Sequence, residues 1–401
     1  MEEKLLSEKL LSEESPREKL LLKRLLKDLK RLKASQGYLY AGIPNYARLF
    51  GRDSCIAALQ LLDLFPDIAK STLEILAKYQ GKKINFKAEE EPGKILHEHY
   101  INGWLEKSKD FLQSNKKSGK IPRFFNWDFP YYGSIDSTAW WLILFSKYIK
   151  KTNDEELKQK LQPNIEKAFS WIENFGDLDD DSFIESYRKN PFGSLHQGWK
   201  DGLTLYIRQP IAMVEVQGYY YCVYREFGLE EKAQELKEKF NEQFWMPQQN
   251  YFALALDEVK KQIKIITSNP GHLLFTGILD NDKVEKVVKR LFEEDLWTPY
   301  GIRTHSSKDS RFDSKSYHQG SVWPHDNWII YEGLLKYGYQ KEAQMIKDAL
   351  ISAYQTLGYI PELYEVKDNK IFPIKISCYL QAWSTGALIN LLTSKDNQTV
   401  L

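Results

Sequence analysis

At 401 residues, 42% apolar and 28% charged, the chain has the composition of a soluble globular protein rather than a disordered or membrane-spanning one. Its 56 basic and 55 acidic residues interleave to a net charge of +1, which leaves no basic field for nucleic acid, and no apolar run reaches bilayer length. Three scattered cysteines, Cys55, Cys222 and Cys378, suit a cytoplasmic location and give neither a disulfide framework nor a zinc ligand set.

In chain order, leucines at helical spacing among lysines from Leu20 to Leu32 predict an amphipathic helix, within an N-terminal extension over residues 1–35. It reads as an outer helix of the fold; oligomerisation through it, giving a homo-oligomer, is the alternative. Gly37 to Pro44 is a turn-rich approach to an apolar helix over 53–62, and Pro66 starts an amphipathic helix to about residue 80. The stretch from Gly81 to Tyr132 is a long polar loop, of the length that usually carries function. An apolar helix is expected over 134–150 and its amphipathic partner over 154–175. The acidic run Gly176 to Glu185 looks like a calcium loop but lacks the central glycine and the glutamate at position twelve, so a turn-rich hairpin is expected there. Further apolar and amphipathic pairs follow over 212–227 and 230–245, from Gly271 and over 282–292, and over 321–337 and 341–357. A final apolar helix spans 379–392, and residues 251–267 alternate as a β-hairpin.

Helices apolar nearly all round are buried, and their Lys/Glu-rich neighbours are half exposed. Six inner and six outer helices imply an all-α, single-domain (α/α)6 toroid over residues 1–401, with short β-hairpins in its loops. Each inner helix opens on a short motif of Gly, acidic, amide or aromatic residues, such as Phe50-Gly51-Arg52-Asp53-Ser54, Glu215-Val216-Gln217-Gly218-Tyr219, Asn269-Pro270-Gly271-His272 and Gln381-Ala382-Trp383-Ser384. Loops running from outer to inner helices emerge at one end of such a ring, so these openings are expected to converge on one pit.

With 11 Trp, 24 Tyr and 20 Phe, the chain can line that pit with flat aromatic faces that match the CH faces of sugars, although a helical core uses aromatics too. Glycosidic cleavage needs a proton donor and a second carboxylate on the opposite ring face. Asp201, between Trp199-Lys200 and Gly202, and Glu362, after Pro361 and between Tyr359 and Tyr364, fit those roles. Indole walls would raise the pKa of Asp201 and an inward Lys200 would lower it. Asp53 and Asp136 are either helix caps or acceptors for sugar hydroxyls, and Glu98 in the long loop is a further acceptor. His325-Asp326 alone is weak support for a metal, and no phosphate-binding, dinucleotide-binding or nucleophile-elbow motif occurs, so neither metal nor cofactor is expected.

Eight motifs from Asn45 to Ala387 resemble, in order, the catalytic region of the glycogen-debranching amylo-α-1,6-glucosidase family of six-hairpin glycosidases. They include Leu49-Phe50-Gly51-Arg52-Asp53-Ser54, Gly93-Lys94-Ile95-Leu96-His97-Glu98, Gln197-Gly198-Trp199-Lys200-Asp201, Gly320-Ser321-Val322-Trp323-Pro324-His325-Asp326-Asn327 and Pro361-Glu362-Leu363. The resemblance implies an inverting hydrolase of an α-glucosidic bond, with Asp201 as general acid and Glu362 as general base. Arg52, Asp53, Glu98, Asp136, Trp199, Lys200, Gln217, His272, Trp323, His325, Asp326 and Trp383 would bind the carbohydrate substrate. Two departures stand out. Gly202-Leu203-Thr204 replaces the Ser-Gly-Asp that usually follows Trp-Lys-Asp, and residues 1–35, expected to be helical, stand where relatives commonly carry a large N-terminal β-rich domain. A smaller substrate such as glucosylglycerate, mannosylglycerate or trehalose is the alternative, with Arg303, Arg311 or Lys315 to hold a glycerate carboxylate. A non-catalytic sugar-binding toroid and a sugar isomerase or epimerase are alternatives of another class.

Overall fold

The computed structural model describes residues 16–101 and 128–394. Much of the long loop between Gly81 and Tyr132, and the first residues of the N-terminal extension, lie outside the described residues. Helix α1 (Pro16–Leu32) turns Leu22, Leu25, Leu29 and Leu32 inward, the stripe its leucine spacing predicts. Inner helices α2 (Gly51–Gln60), α4 (Ser137–Thr152), α6 (Val214–Glu226), α8 (His272–Thr276), α10 (Pro324–Lys336) and α12 (Ala382–Thr393) alternate with outer helices. These are α3 (Pro66–Lys78), α5 (Glu155–Trp171), α7 (Glu230–Gln243), α9 (Asn281–Leu291) and α11 (Gln340–Leu357). Each inner helix packs on the next, and α12 packs back on α2, closing the toroid. At the seam the Trp328 indole donates to Asn390 Oδ1 at 2.9 Å, and Asn390 Nδ2 donates to the Gln60 carbonyl at 3.0 Å.

Local chemistry sets the boundaries. Pro66 occupies the first turn of α3, and the Asp154 carboxylate caps α5 by accepting from Leu157 N–H at 2.9 Å. The fourth inner helix is much shorter than its apolar run suggests. A 3-10 turn (Asn269–Gly271) leads into a five-residue helix, which Gly277 ends in the left-handed region at φ 83°. Within residues 251–267 the expected hairpin is a short one, 255–256 against 262–263; 255–256 also pairs with 212–213, and 251–252 pairs with 245–246.

The acidic run forms bends with no strand pairing between 177 and 185; Asp177 accepts from the backbone N–H of Asp181 and Ser182. Asp177, Asp179 and Glu185 lie close enough to share a cation, but Lys260 Nζ already stands 3.0 Å from Asp179, pairs with Glu185 and lies 2.7 Å from Asp181. An ammonium thus occupies the position a calcium ion would take.

Short antiparallel pairs stitch the loops at the mouth. Phe50 faces Glu98, Gly42 faces Gln381, and Val322 bridges both Arg303 and Tyr364. The last bridge brings the Glu362 loop beside Trp323.

Candidate active site

At the shared end of the inner helices lies a pocket. Its walls are aromatic, from Tyr46, Phe50, Trp199, Tyr317, His318, Trp323 and Trp383, and its charged lining is Arg52, Asp53, Asp201 and Glu362. The His325 ring lies flat on Trp383, with centroids 3.7 Å apart and planes 5° apart, which stiffens that wall from behind.

The two carboxylates singled out in the sequence both line this pocket. Asp201 keeps 26% of its side chain exposed, and its Oδ2 stands 3.8 Å from Arg52 Nη2 and from His97 Nε2. Lys200 does not point toward it. The buried ammonium donates instead to the Thr304 carbonyl at 2.7 Å and to Ser268 Oγ at 3.1 Å, tying the Asp201 loop to its neighbours. Burial lowers the Lys200 pKa to about 8 against the pull of Asp326 and Glu215.

Glu362 is buried, and both of its oxygens accept. The Tyr317 hydroxyl donates to Oε1 at 2.5 Å, and Cys378 N–H donates to Oε2 at 2.9 Å. Burial pushes the Glu362 pKa up to about 8; those two donors oppose the shift, while the nearby charges of Asp53 and Asp201 add to it. Asp53 is likewise pushed up to about 7 by burial, against Arg52 and with Asp201. Tyr317 is held well above the usual phenol range by burial and by Glu362, so its proton stays on and it acts as the donor.

Asp136 stands at the N-cap of α4 without a side-chain cap bond, and Asp53 lies in the first turn of α2. Asp136 takes a two-oxygen contact from Arg52 Nη1, at 2.9 and 3.1 Å, and a bond from Ser134 Oγ at 2.8 Å. Burial works against the Arg52 charge, but Asp136, Asp53 and Asp201 outweigh it and raise its pKa. Glu98 is not among the lining residues and accepts from Arg48 Nε at 2.6 Å. Gln217 sits below the pocket, its amide bonded to the backbone of Ile184 and Met213. His272 lies behind Trp199, bonded to Tyr219 OH at 2.5 Å and to Asp326 Oδ1 at 2.7 Å. Arg303, Arg311 and Lys315 do not line the pocket; Arg303 packs over the Phe312 ring and Arg311 pairs with Asp309.

Sequence reasoning passed over Tyr46, His97, Tyr317 and His318. The signal available was position: Tyr317-His318 stands just before the Gly320 to Asn327 motif.

Residues 226–383 match the family model described as the mannosylglycerate hydrolase MGH1-like glycoside hydrolase domain. Mannosylglycerate hydrolase MGH1 of Selaginella moellendorffii is 32% identical over 92 residues, 23% of this chain and 19% of that protein. The mannosylglycerate hydrolase of Rubrobacter radiotolerans is 24% identical over 137 residues, 33% and 31% of the two chains. The matched stretches thus span less than a third of these relatives. Among solved structures, the GH63 mannosylglycerate hydrolase from Thermus thermophilus in complex with Tris superposes with a TM-score of 0.70 at 14% identity, covering 92% of this chain and 99% of that one. Its complex with Tris and D-glycerate gives 0.71 at 14% identity, with 93% and 99% covered.

The fold is that of these solved structures. The (α/α)6 toroid read from the sequence is therefore the observed architecture. These relatives carry the name of mannosylglycerate, the alternative substrate reading, rather than that of glycogen debranching. The matched family segment contains Glu362 and Trp323 but not Asp201.

Proposed function

We propose that the chain is an inverting glycoside hydrolase of a small glycoside, with mannosylglycerate as its best candidate substrate. The observation that carries this reading is the pairing of Asp201 and Glu362 in one aromatic pocket, the first partly open and the second buried and doubly bonded. The names of the relatives point the same way.

In the reaction, Asp201 gives its proton to the glycosidic oxygen as the bond to the anomeric carbon breaks. Glu362 takes a proton from a water that attacks the opposite face. The products are a free sugar of inverted anomeric configuration and the aglycone with its hydroxyl restored. The Trp323 and Trp383 faces and the Asp53 carboxylate would hold the sugar ring. The departing group leaves on the Asp201 side.

The test is a panel of mannosylglycerate, glucosylglycerate, trehalose, isomaltose and limit dextrin, with the anomer of the released sugar followed by NMR. Asp201→Asn and Glu362→Gln should each lower kcat by at least ~100-fold on the cleaved substrate while the fold persists. Near-wild-type turnover in either variant, or first release of the retained anomer, sinks the assignment.

A further inference from the structure

His318 carries a function that neither the motif reading nor the proposed reaction assigns. Its ring is buried, stacks on Trp323 with centroids 5.0 Å apart and lines the pocket. Gly202 N–H, one residue past Asp201, donates to its Nδ1 at 3.0 Å. A backbone N–H can only donate, so Nδ1 carries the lone pair and the neutral ring has its proton on Nε2. Burial, aided by the charges of Lys200 and Arg52, holds the imidazole well below its ordinary pKa and keeps it neutral. Nε2 is buried and has no hydrogen-bond partner among the described residues. A buried N–H left unbonded is costly, so one that lines a pocket is a donor awaiting a ligand.

The same contact explains the departure after Asp201. A Cβ at position 202 would sit 3.0 Å from His318 Nδ1 and 3.2 Å from Tyr317 Cδ1, tighter than ordinary packing, so glycine is what lets the acid loop approach the ring. Thr204 Oγ1 donating to Gln319 Oε1 at 2.6 Å ties the same two loops a second time.

We propose that His318 is a substrate-binding residue on the leaving-group side, with Nε2–H donating to an aglycone oxygen while Nδ1 holds the loop of the general acid. This rests on the reading of Asp201 as the proton donor, since the residue beside the donor faces the departing group.

The experiment separates the two ring nitrogens. In His318→Asn the amide oxygen can replace Nδ1 but nothing reaches the place of Nε2; in His318→Gln the amide nitrogen can replace Nε2. On mannosylglycerate His318→Asn should lose roughly 10–100-fold in kcat/KM, the scale of one buried hydrogen bond, and His318→Gln should recover part of it. On mannosyl fluoride, which has no aglycone oxygen, His318→Asn should stay within about threefold of wild type by the same accounting. Equal loss on both substrates, or no loss on either, overturns the proposal. Nitrogen-15 NMR of the wild-type histidine rings needs no turnover and decides it independently. Protonated Nε2, bare Nδ1 and a shift of the Nε2–H signal on adding D-glycerate are expected; a proton on Nδ1, or no shift, overturns it. A wild-type chain that cleaves neither substrate would sink the hydrolase reading and leave His318 to be judged by the NMR result.

Discussion

Asp201 stands 3.8 Å from the Arg52 guanidinium and from the His97 ring and keeps a quarter of its own side chain open to solvent, whereas Glu362 is buried with a donor fixed on each carboxylate oxygen. The difference follows from what each is asked to do in the proposed reaction. An acid must meet leaving groups of varied shape and be reprotonated from solvent after each turnover. A base that aligns one water has no use for freedom, and rigid donors on both oxygens fix its lone pairs. The cost falls on the base side, where burial and the neighbouring carboxylates hold Glu362 near 8.

The sharpest way to break this asymmetry is a leaving group that needs no proton. On a glycosyl fluoride Asp201→Asn should keep turnover within about tenfold of wild type, while Glu362→Gln should still lose at least ~100-fold; stopped-flow fluoride release reads both. Equal losses would mean that the two carboxylates do not divide the work. A smaller effect is expected from Tyr317→Phe. It removes one of the two donors on Glu362, so kcat should fall by roughly 10-fold and the base should titrate at higher pH, since that bond favours the ionised form. An unchanged pH profile would show that the phenol does not steady the charge.

The smallest effect concerns Asp53. Because the base works ionised, kcat/KM should climb as pH rises through about 7 to 8, where Asp53 and Glu362 titrate. In Asp53→Asn a charge that raises Glu362 is gone, so the midpoint of that climb should move to lower pH by up to about one unit, whatever the absolute rate. Movement to higher pH would refute the electrostatic coupling across the pocket.

Much of the fold was legible because burial patterns are local. Leu22, Leu25, Leu29 and Leu32 sit inside as their spacing requires, and inner helix α2 is buried at every residue. The length of the fourth inner helix was not legible, because an apolar run says a segment is buried, not how long it stays helical; Gly277 decides that. The two carboxylates were legible as acids on aromatic loops. What each opening motif contributes was not. Arg52, Asp53, Trp323 and Trp383 reach the pocket, while Gln217 and His272 spend their polar atoms on bonds beneath it. Tyr317 and His318 gain their partners from segments 45 and 116 residues away, and no spacing rule reaches that far.

Closure of the ring by the Trp328, Asn390 and Gln60 bonds has a consequence for the birth of the protein. Five of the inner helices can form pairwise contacts as they leave the ribosome, because each touches the one before it. The pocket cannot. Trp383 stands on α12, and that helix meets α2 across more than three hundred residues of chain, so the nascent molecule carries a nearly complete toroid with an open flank and no enclosed site. Until the seam shuts, the apolar sides of α2 and α10 stay uncovered, and a chaperone that shields that flank would act on the final step of maturation.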